Sequence, residues 1–262
     1  MNLINIAHLK SKMTAPYLLD NKNKSLFPDV ELALREPDGL LAIGGDLSVE
    51  RLVMAYQRGI FPWYSEGQPV LWWSPDPRMV LKPSEVKISR SLAKTIRKNK
   101  FTITFNQAFK NVIQACSRPR LEKGQVQDET WILDEMIESY TELHHKGYAH
   151  SVECWNNEQL VGGLYGIAIG KVFFGESMFS RETDASKTAF VYLNKQLEQW
   201  DFKLVDCQVY TSHLESLGAK MIPRKEFIKL LNQYAIDQDV QATWSSNPDL
   251  ANQIIESLSA NK

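Results

Sequence analysis

The stretch from His150 to Ser180 constrains this chain more than any other. HSVECW, NNEQLVGGLYGIAIG and KVFFGESMFS are three runs rich in apolar residues, parted by turn formers at Asn156-Asn157 and Gly170-Lys171. Runs joined by two-residue turns read as an antiparallel meander. Helical patterns flank it. WILDEMIESYTELHHK (131–146) ends at Gly147, a helix-stopping glycine, and ASKTAFVYLNKQLEQW (185–200) follows the last run. The strand KLVDCQVY (203–210), a short helix after Thr211 and a helix at 224–234 come next. Upstream lie a helix at 89–100, the strand FTITF (101–105) and a helix beginning near Asn106.

The N-terminal third is different in kind. Residues 1–25 are polar and read as a loosely held leader, whereas Phe27 to Pro83 is dense in Gly, Pro and aromatic residues. That density leaves room for a short helix at 48–58, with Ser48 as its N-cap, and predicts either a compact module glued by aromatic packing or one that offers aromatic faces to a flat ligand. The last 25 residues are polar with one Trp and read as a tail from about 235. The expected class is α+β, with a small N-terminal α/β domain (1–83) and a larger domain (84–262). The order α, β-meander, α, β, α matches an acyltransferase domain of the N-acetyltransferase type. In that fold a mixed sheet is splayed between its fourth and fifth strands, and the gap holds the acyl donor. Fold alone does not fix function.

Chemistry has to be sought in misplaced polar residues. A CoA-dependent enzyme grips pyrophosphate with a Gly-rich loop at a helix N-terminus. The corresponding loop here, SRETDASKT (180–188), has no glycine and carries Glu182 and Asp184, which argues against CoA. Asp206 and Gln208 lie two apart on an apolar strand and so share a face, with Cys207 on the other. Asp206 either pairs with a neighbour or works on a substrate, and Gln208 either satisfies a backbone amide or does the same. Glu176 follows Gly175 inside an apolar run, where the glycine marks a bulge or the close approach of a ligand. A salt bridge to a nearby Arg or Lys is the alternative for Glu176. GESMF lacks the final glycine of a nucleophile elbow.

The histidines 144, 145 and 150 are too few for a metal site and suit a helix C-terminus. Cys116, Cys154 and Cys207 form neither a ligand pattern nor a disulfide framework, which fits a reducing compartment. No apolar run spans a bilayer and no signal segment is visible, so a cytoplasmic location with no membrane partner is expected. Net charge is −1, which neither requires nor excludes a nucleic acid. Basic residues do cluster locally: Lys82, Lys87, Arg90, Lys94, Arg97, Lys98 and Lys100 stand against Glu85 alone. They read either as a solvated helix face or as a surface tracking an RNA backbone beside stacking aromatics.

At these residues the chain resembles the leucyl/phenylalanyl-tRNA–protein transferases. LREPDGLLAIGGDLS (34–48), AYQRGIFPWY (55–64), LWWSPDPR (71–78), TWI (130–132), VGGLYG (161–166), FFGESMFS (173–180), ASKTA (185–189) and DCQV (206–209) carry the likeness, which runs from about Phe27 to Arg224. The resemblance implies a small N-terminal domain before an acetyltransferase-like one. It implies transfer of Leu, Phe and, less readily, Met from aminoacyl-tRNA to proteins beginning with Arg or Lys, which makes an N-end-rule degradation signal. It implies no metal or organic cofactor.

Carried over by position, Trp63 and Trp131 would hold the 3′-terminal aminoacyl-adenosine, and Glu176, Asp206 and Gln208 would form the catalytic group. Leu164, Phe173, Phe190, Leu193, Leu197 and Val205 would line the pocket for the aminoacyl side chain. Leu193 and Leu197 replace residues that are aromatic in some family members, and Thr211 stands where Asn is usual. LEKGQVQDE (121–129) resembles an inserted surface loop. The rivals are a CoA-dependent acetyltransferase, a transferase acting on cell-wall precursors, whose chains carry a doubled domain, and a silent RNA-binding module. With no long exposed apolar stripe in view, a monomer is expected.

Overall fold

The computed structural model describes residues 15–20, 26–118, 120–122, 125–127, 132–236, 244–245 and 247–260. A four-stranded sheet near the N-terminus is built from β1 (Tyr17–Leu19), β2 (Leu40–Gly44), β3 (Phe61–Pro62) and β4 (Leu71–Trp73), in the order β1-β2-β4-β3. Part of the expected leader is thus a strand, because β1 pairs in parallel with β2. Helix α1 (Val49–Gln57) follows β2 and buries Leu52, Ala55 and Tyr56. Trp72 and Trp73 donate their indole N–H groups to Gly44 O (2.8 Å) and Trp63 O (2.6 Å), so aromatic side chains tie the short strands together.

The second sheet has seven strands. In chain order the elements are β5 (Arg78–Leu81), α2 (Arg90–Arg97), β6 (Thr102–Phe105), α3 (Phe109–Cys116), the hairpin β7 (Arg120–Glu122) and β8 (Gln125–Gln127), and α4 (Asp134–His145). The meander β9 (Ala149–Asn156), β10 (Gln159–Ile169) and β11 (Val172–Ser180) comes next. After it run α5 (Ala185–Gln199), β12 (Leu204–Gln208), α6 (Ser212–Ser216), β13 (Lys220–Ile222), α7 (Arg224–Tyr234) and α8 (Leu250–Ala260). The sheet order is β13-β5-β12-β11-β10-β9-β6. Strand β5 lies on the N-terminal side of residue 83 yet belongs to this sheet. Residues of α1, α3, α4 and α7 are buried with the small sheet on one face, and those of α2, α5 and α8 on the other.

Local chemistry explains the turns. Asn157 and Glu158 take positive φ (47° and 65°), the hand that matches strand twist in a two-residue hairpin, so the first turn sits one residue later than the pattern suggests. The glycine pair in VGGLYG has a packing role: a Cβ on Gly162 would lie 2.6 Å from the Ala185 Cβ, so α5 rests directly on β10. Ser89 caps α2 by accepting from Leu92 N (3.2 Å).

Strands β11 and β12 are the parallel pair of the seven-stranded sheet, and they match only from Val172↔Leu204 to Phe174↔Asp206. Beyond that they part, which makes the mixed, splayed sheet expected. Two bulges occur at the split. Tyr165 faces Ser177 and Gly166 faces Gly175, so Glu176 is the extra residue of β11. Asp206 faces Val80 and Gln208 faces Met79, so Cys207 is the extra residue of β12, and Gln208 takes φ 61°. The simple alternation of 206, 207 and 208 is thereby broken.

The stretch after 235 is not merely a polar tail. Trp244 is buried, and α8 packs on α5 and α2 through Leu250 and Ile254, an apolar stripe four residues apart. Arg97, read as part of the basic run, turns to this helix and donates to Leu258 O (2.7 Å). Among the described residues no helix is long and apolar enough to cross a membrane.

Candidate active site

The gap between the splayed strands is a cavity of about 1030 Å³. Leu164 and Phe173 from the meander, Phe190 and Leu193 from α5, and Val205 from β12 give it an apolar lining. Trp63 stands at its edge, 44% exposed and 5.8 Å from the Trp73 ring. Its backbone carbonyl is the one held by Trp73, so the indole is presented on a fixed strand end. Arg118, Arg181 and the segment Thr211–Leu214 complete the wall. Thr211 caps α6, accepting from Leu214 N (3.1 Å).

Glu176, Asp206 and Gln208 come together here. Asp206 is fully buried and receives both ends of the Arg78 guanidinium, Nε to Oδ1 at 2.8 Å and Nη2 to Oδ2 at 2.7 Å. Arg78 also donates to Gly59 O (3.2 Å) and lies over the rings of Phe61 and Phe227. Bidentate pairing of this kind is both strong and directional. Asp206 Oδ1 further accepts the backbone N–H of Gln208 (2.9 Å), which holds that residue in its left-handed conformation. The Gln208 side-chain amide then donates to Glu176 Oε1 (2.8 Å). Gln208 is therefore fixed at both its backbone and its side chain.

Glu176 has no cation beside it among these bonds. Tyr140 donates to its Oε2 (3.0 Å), and Tyr56 hydrogen-bonds to Tyr140. Burial raises the Glu176 pKa from 4.5 to about 7. Hydrogen bonds from the tyrosines and Gln208 oppose the rise, and the nearby Asp206 charge adds to it. Tyr140 and Tyr56 are held well above the ordinary phenol range, chiefly by burial and then by the Glu176 charge, so they remain donors. Cys207 lines the same cavity, but burial and the Asp206 charge push its thiol up, away from the thiolate a nucleophile needs.

Several expected residues lie elsewhere. Leu197 is fully buried in the core behind the cavity and does not line it. Trp131 lies outside the described residues. None of the basic run lines the cavity. Lys82 pairs with Glu85 (3.5 Å), Lys100 with Glu182 (2.6 Å), and Lys87, Arg90, Lys94 and Lys98 are exposed. Glu182 and Asp184 stand at the entry to α5, where Asp184 accepts from Thr95 (2.9 Å) and lies 3.7 Å from Lys187. His144 stacks on Phe109 and His150 on Trp244, each committed to packing. Sequence reasoning did not single out Arg78, Tyr56, Tyr140, Arg118 or Arg181. For Arg78 there was a partial signal, since a carboxylate on an apolar strand calls for a cation or several hydrogen-bond donors. For the tyrosines there was none.

A splayed mixed sheet with an apolar-lined gap and a buried polar group fixed in its wall suits an acyl-transfer class of site. Residues 80–232 match the family model for leucyl/phenylalanyl-tRNA protein transferase, and residues 45–76 match the model for its N-terminal domain. The chain belongs to this family. Relatives bearing that name include those of Cellvibrio japonicus (58% identical over 217 residues, 83% of this chain and 88% of that one) and Nitrosomonas europaea (60% over 207 residues, 79% and 86%). Another is that of Pseudomonas syringae pv. syringae (54% over 226 residues, 86% and 96%). Among solved structures, L-PGS from Bacillus licheniformis is similar at a TM-score of 0.35 (11% identity, 84% of this chain and 72% of that one). A GCN5-related N-acetyltransferase-like protein from Streptococcus suis is similar at 0.31 (12%, 63% and 59%). Scores this low say nothing of function.

Proposed function

We infer that this chain transfers Leu or Phe, and less readily Met, from aminoacyl-tRNA to the α-amine of proteins beginning with Arg or Lys. It acts as a cytoplasmic monomer, and its product is a degradation signal. The observation that carries the reading is Gln208, fixed by Asp206 and Glu176 in the wall of a cavity with an apolar lining. Residues 1–83 supply Trp63 for the terminal adenosine, and residues 84–262 supply the pocket and the polar group, with β5 tying the two parts together. The exposed lysines of 82–100, with Arg90, face the tRNA backbone. The charge of Glu182 and Asp184 at the start of α5 opposes a pyrophosphate there, which favours tRNA over CoA as donor.

The donor's side chain enters among Leu164, Phe173, Phe190, Leu193 and Val205. With its NH₂ group committed to Glu176, Gln208 offers its carbonyl oxygen to an N–H of the incoming amine and aims the lone pair at the ester carbon. A C–N bond forms, the C–O bond to the ribose breaks, and the ribose oxygen leaves with the proton the amine gives up. Glu176, titrating near neutrality, shares that proton in transit. An α-amine has a pKa of about 7.7–8, so freeing it at pH 7 costs only about 1 kcal/mol. Holding amine and ester together is worth roughly 7–11 kcal/mol. Positioning outweighs base strength. An all-apolar pocket separates side chains by only about 1–3 kcal/mol per methylene, which suits shared use by Leu, Phe and Met.

The test is transfer of radiolabelled Phe from Phe-tRNA to a peptide with N-terminal Arg. The same peptide with N-terminal Ala and an acetyl-CoA reaction run beside it. Label on the Arg peptide alone, and from tRNA alone, is expected. Label from acetyl-CoA overturns the donor assignment, and equal label on the Ala peptide overturns the acceptor rule.

A further inference from the structure

Trp244 lies beyond residue 232, where the family-model match ends, yet it is buried, only 6% exposed. Its indole stacks on His150 (3.8 Å, 7°) and meets Trp200 and Phe202 edge-on at 5.0 and 5.9 Å. It also lies 5.8 Å, centroid to centroid, from Phe173. Phe173 lines the cavity and Trp244 does not, so the indole stands behind the wall. The Phe173 ring also abuts Gly166, where a Cβ would come within 2.6 Å of it. The ring thus has strand backbone against one part, an indole against another and the cavity on its open side.

The segment that carries Trp244 is itself anchored. Asn247 donates its backbone N–H to Gln196 Oε1 (2.7 Å), Gln199 donates to Gln253 (2.6 Å), and Ile254 is buried on the inner side of α8. All of this bears on α5, the helix that contributes Phe190 and Leu193 to the same cavity.

We propose that Trp244 is a positioning residue that sets the depth of the aminoacyl side-chain pocket by fixing Phe173 from behind. The proposal rests on reading the cavity as that pocket. Packed interiors pass a change of volume to their neighbours, and deleting a large buried side chain leaves space that the surroundings refill only in part. Without the indole, Phe173 retreats and the pocket deepens. A Phe side chain then fits with less compression, while a Leu side chain loses contacts.

The experiment measures kcat/KM for Phe-tRNA and Leu-tRNA, each with the same N-terminal Arg peptide. Trp244→Ala is expected to raise the Phe:Leu ratio about threefold to tenfold, within the range apolar pockets discriminate, and Trp244→Phe to keep it near wild type. Ile254→Ala loosens α8 while leaving the indole in place, so it should lower Tm and leave the ratio unchanged. A merely structural Trp244 would lower both rates together, and an unchanged or lower ratio in Trp244→Ala overturns the proposal. If Trp244→Ala does not fold, Trp244→Leu carries the same test: a raised ratio supports the proposal and a wild-type ratio overturns it. Failure of the wild-type protein to transfer either amino acid from tRNA would instead overturn the reading of the cavity.

Discussion

Glu153 on β9 and Glu176 on β11 are two carboxylates buried in one sheet, and the fold treats them differently. Glu153 is saturated. It accepts from Thr104 (2.6 Å), Ser151 (2.5 Å), Gln107 N (3.4 Å) and Ala108 N (3.3 Å), just ahead of α3. A carboxylate there also meets the positive end of the helix. Glu176 sits on a bulge at the edge of a cavity, bonded to neutral groups, and its pKa is raised to about 7. Asp206 lies between these extremes: it lines the cavity, but Arg78 closes it off. Carboxylates that are fully paired hold the fold. One left facing a cavity with neutral partners is free to exchange a proton.

The largest effect should come from opening the closed pair. Arg78→Ala strands a buried charge and is expected to cost about 3–5 kcal/mol in urea unfolding. It should also abolish transfer, because Asp206, which anchors the Gln208 backbone, loses the partner that fixes it. A loss below about 1 kcal/mol would mean that the pair is not what holds the β12 bulge.

Next in size is the pH dependence of Glu176. Between pH 4.5 and about 7 the folded chain keeps a proton that the unfolded chain has released. Stability therefore falls as pH rises through that window, by up to about 3 kcal/mol from this group. Glu176→Gln should remove that slope and lower turnover, and a slope that survives the substitution would assign it to another group. Glu153→Gln sharpens the contrast. It should lower stability by about 1–3 kcal/mol while leaving turnover per folded molecule unchanged. An effect of the same order belongs to the rim: Trp63→Ala should weaken donor binding by about 1–3 kcal/mol, the worth of one stacked base, with kcat retained.

The legible parts of this molecule are those where one residue's surroundings announce its role. Apolar runs parted by turn residues marked the meander, and Glu176, Asp206 and Gln208 stood out as polar groups on apolar strands. Their geometry was hidden. A bulge leaves little trace beyond Gly175, and Gln208 in a left-handed conformation leaves none. Arg78 is 128 residues from Asp206, and Tyr56 is 84 from Tyr140, separations over which no local pattern extends. Leu197 has the same composition and helix face as a pocket residue, yet it lies one turn past Leu193, in the core. The C-terminal stretch misled because its polar residues outnumber the rest, although α8 itself carries Leu250, Ile254, Ile255 and Leu258 and buries Leu250 and Ile254.

On the proposed mechanism Gln208, fixed at both backbone and side chain, orients the amine and is not needed to hold the donor. Single-turnover transfer from saturating Phe-tRNA to an N-terminal Arg peptide, with donor Kd measured in parallel, tests it most directly in Gln208→Ala. Transfer should slow by about 100-fold or more, the scale of losing one aligned group, with Kd changed by less than about threefold. A near-normal rate, or a loss confined to Kd, would contradict it.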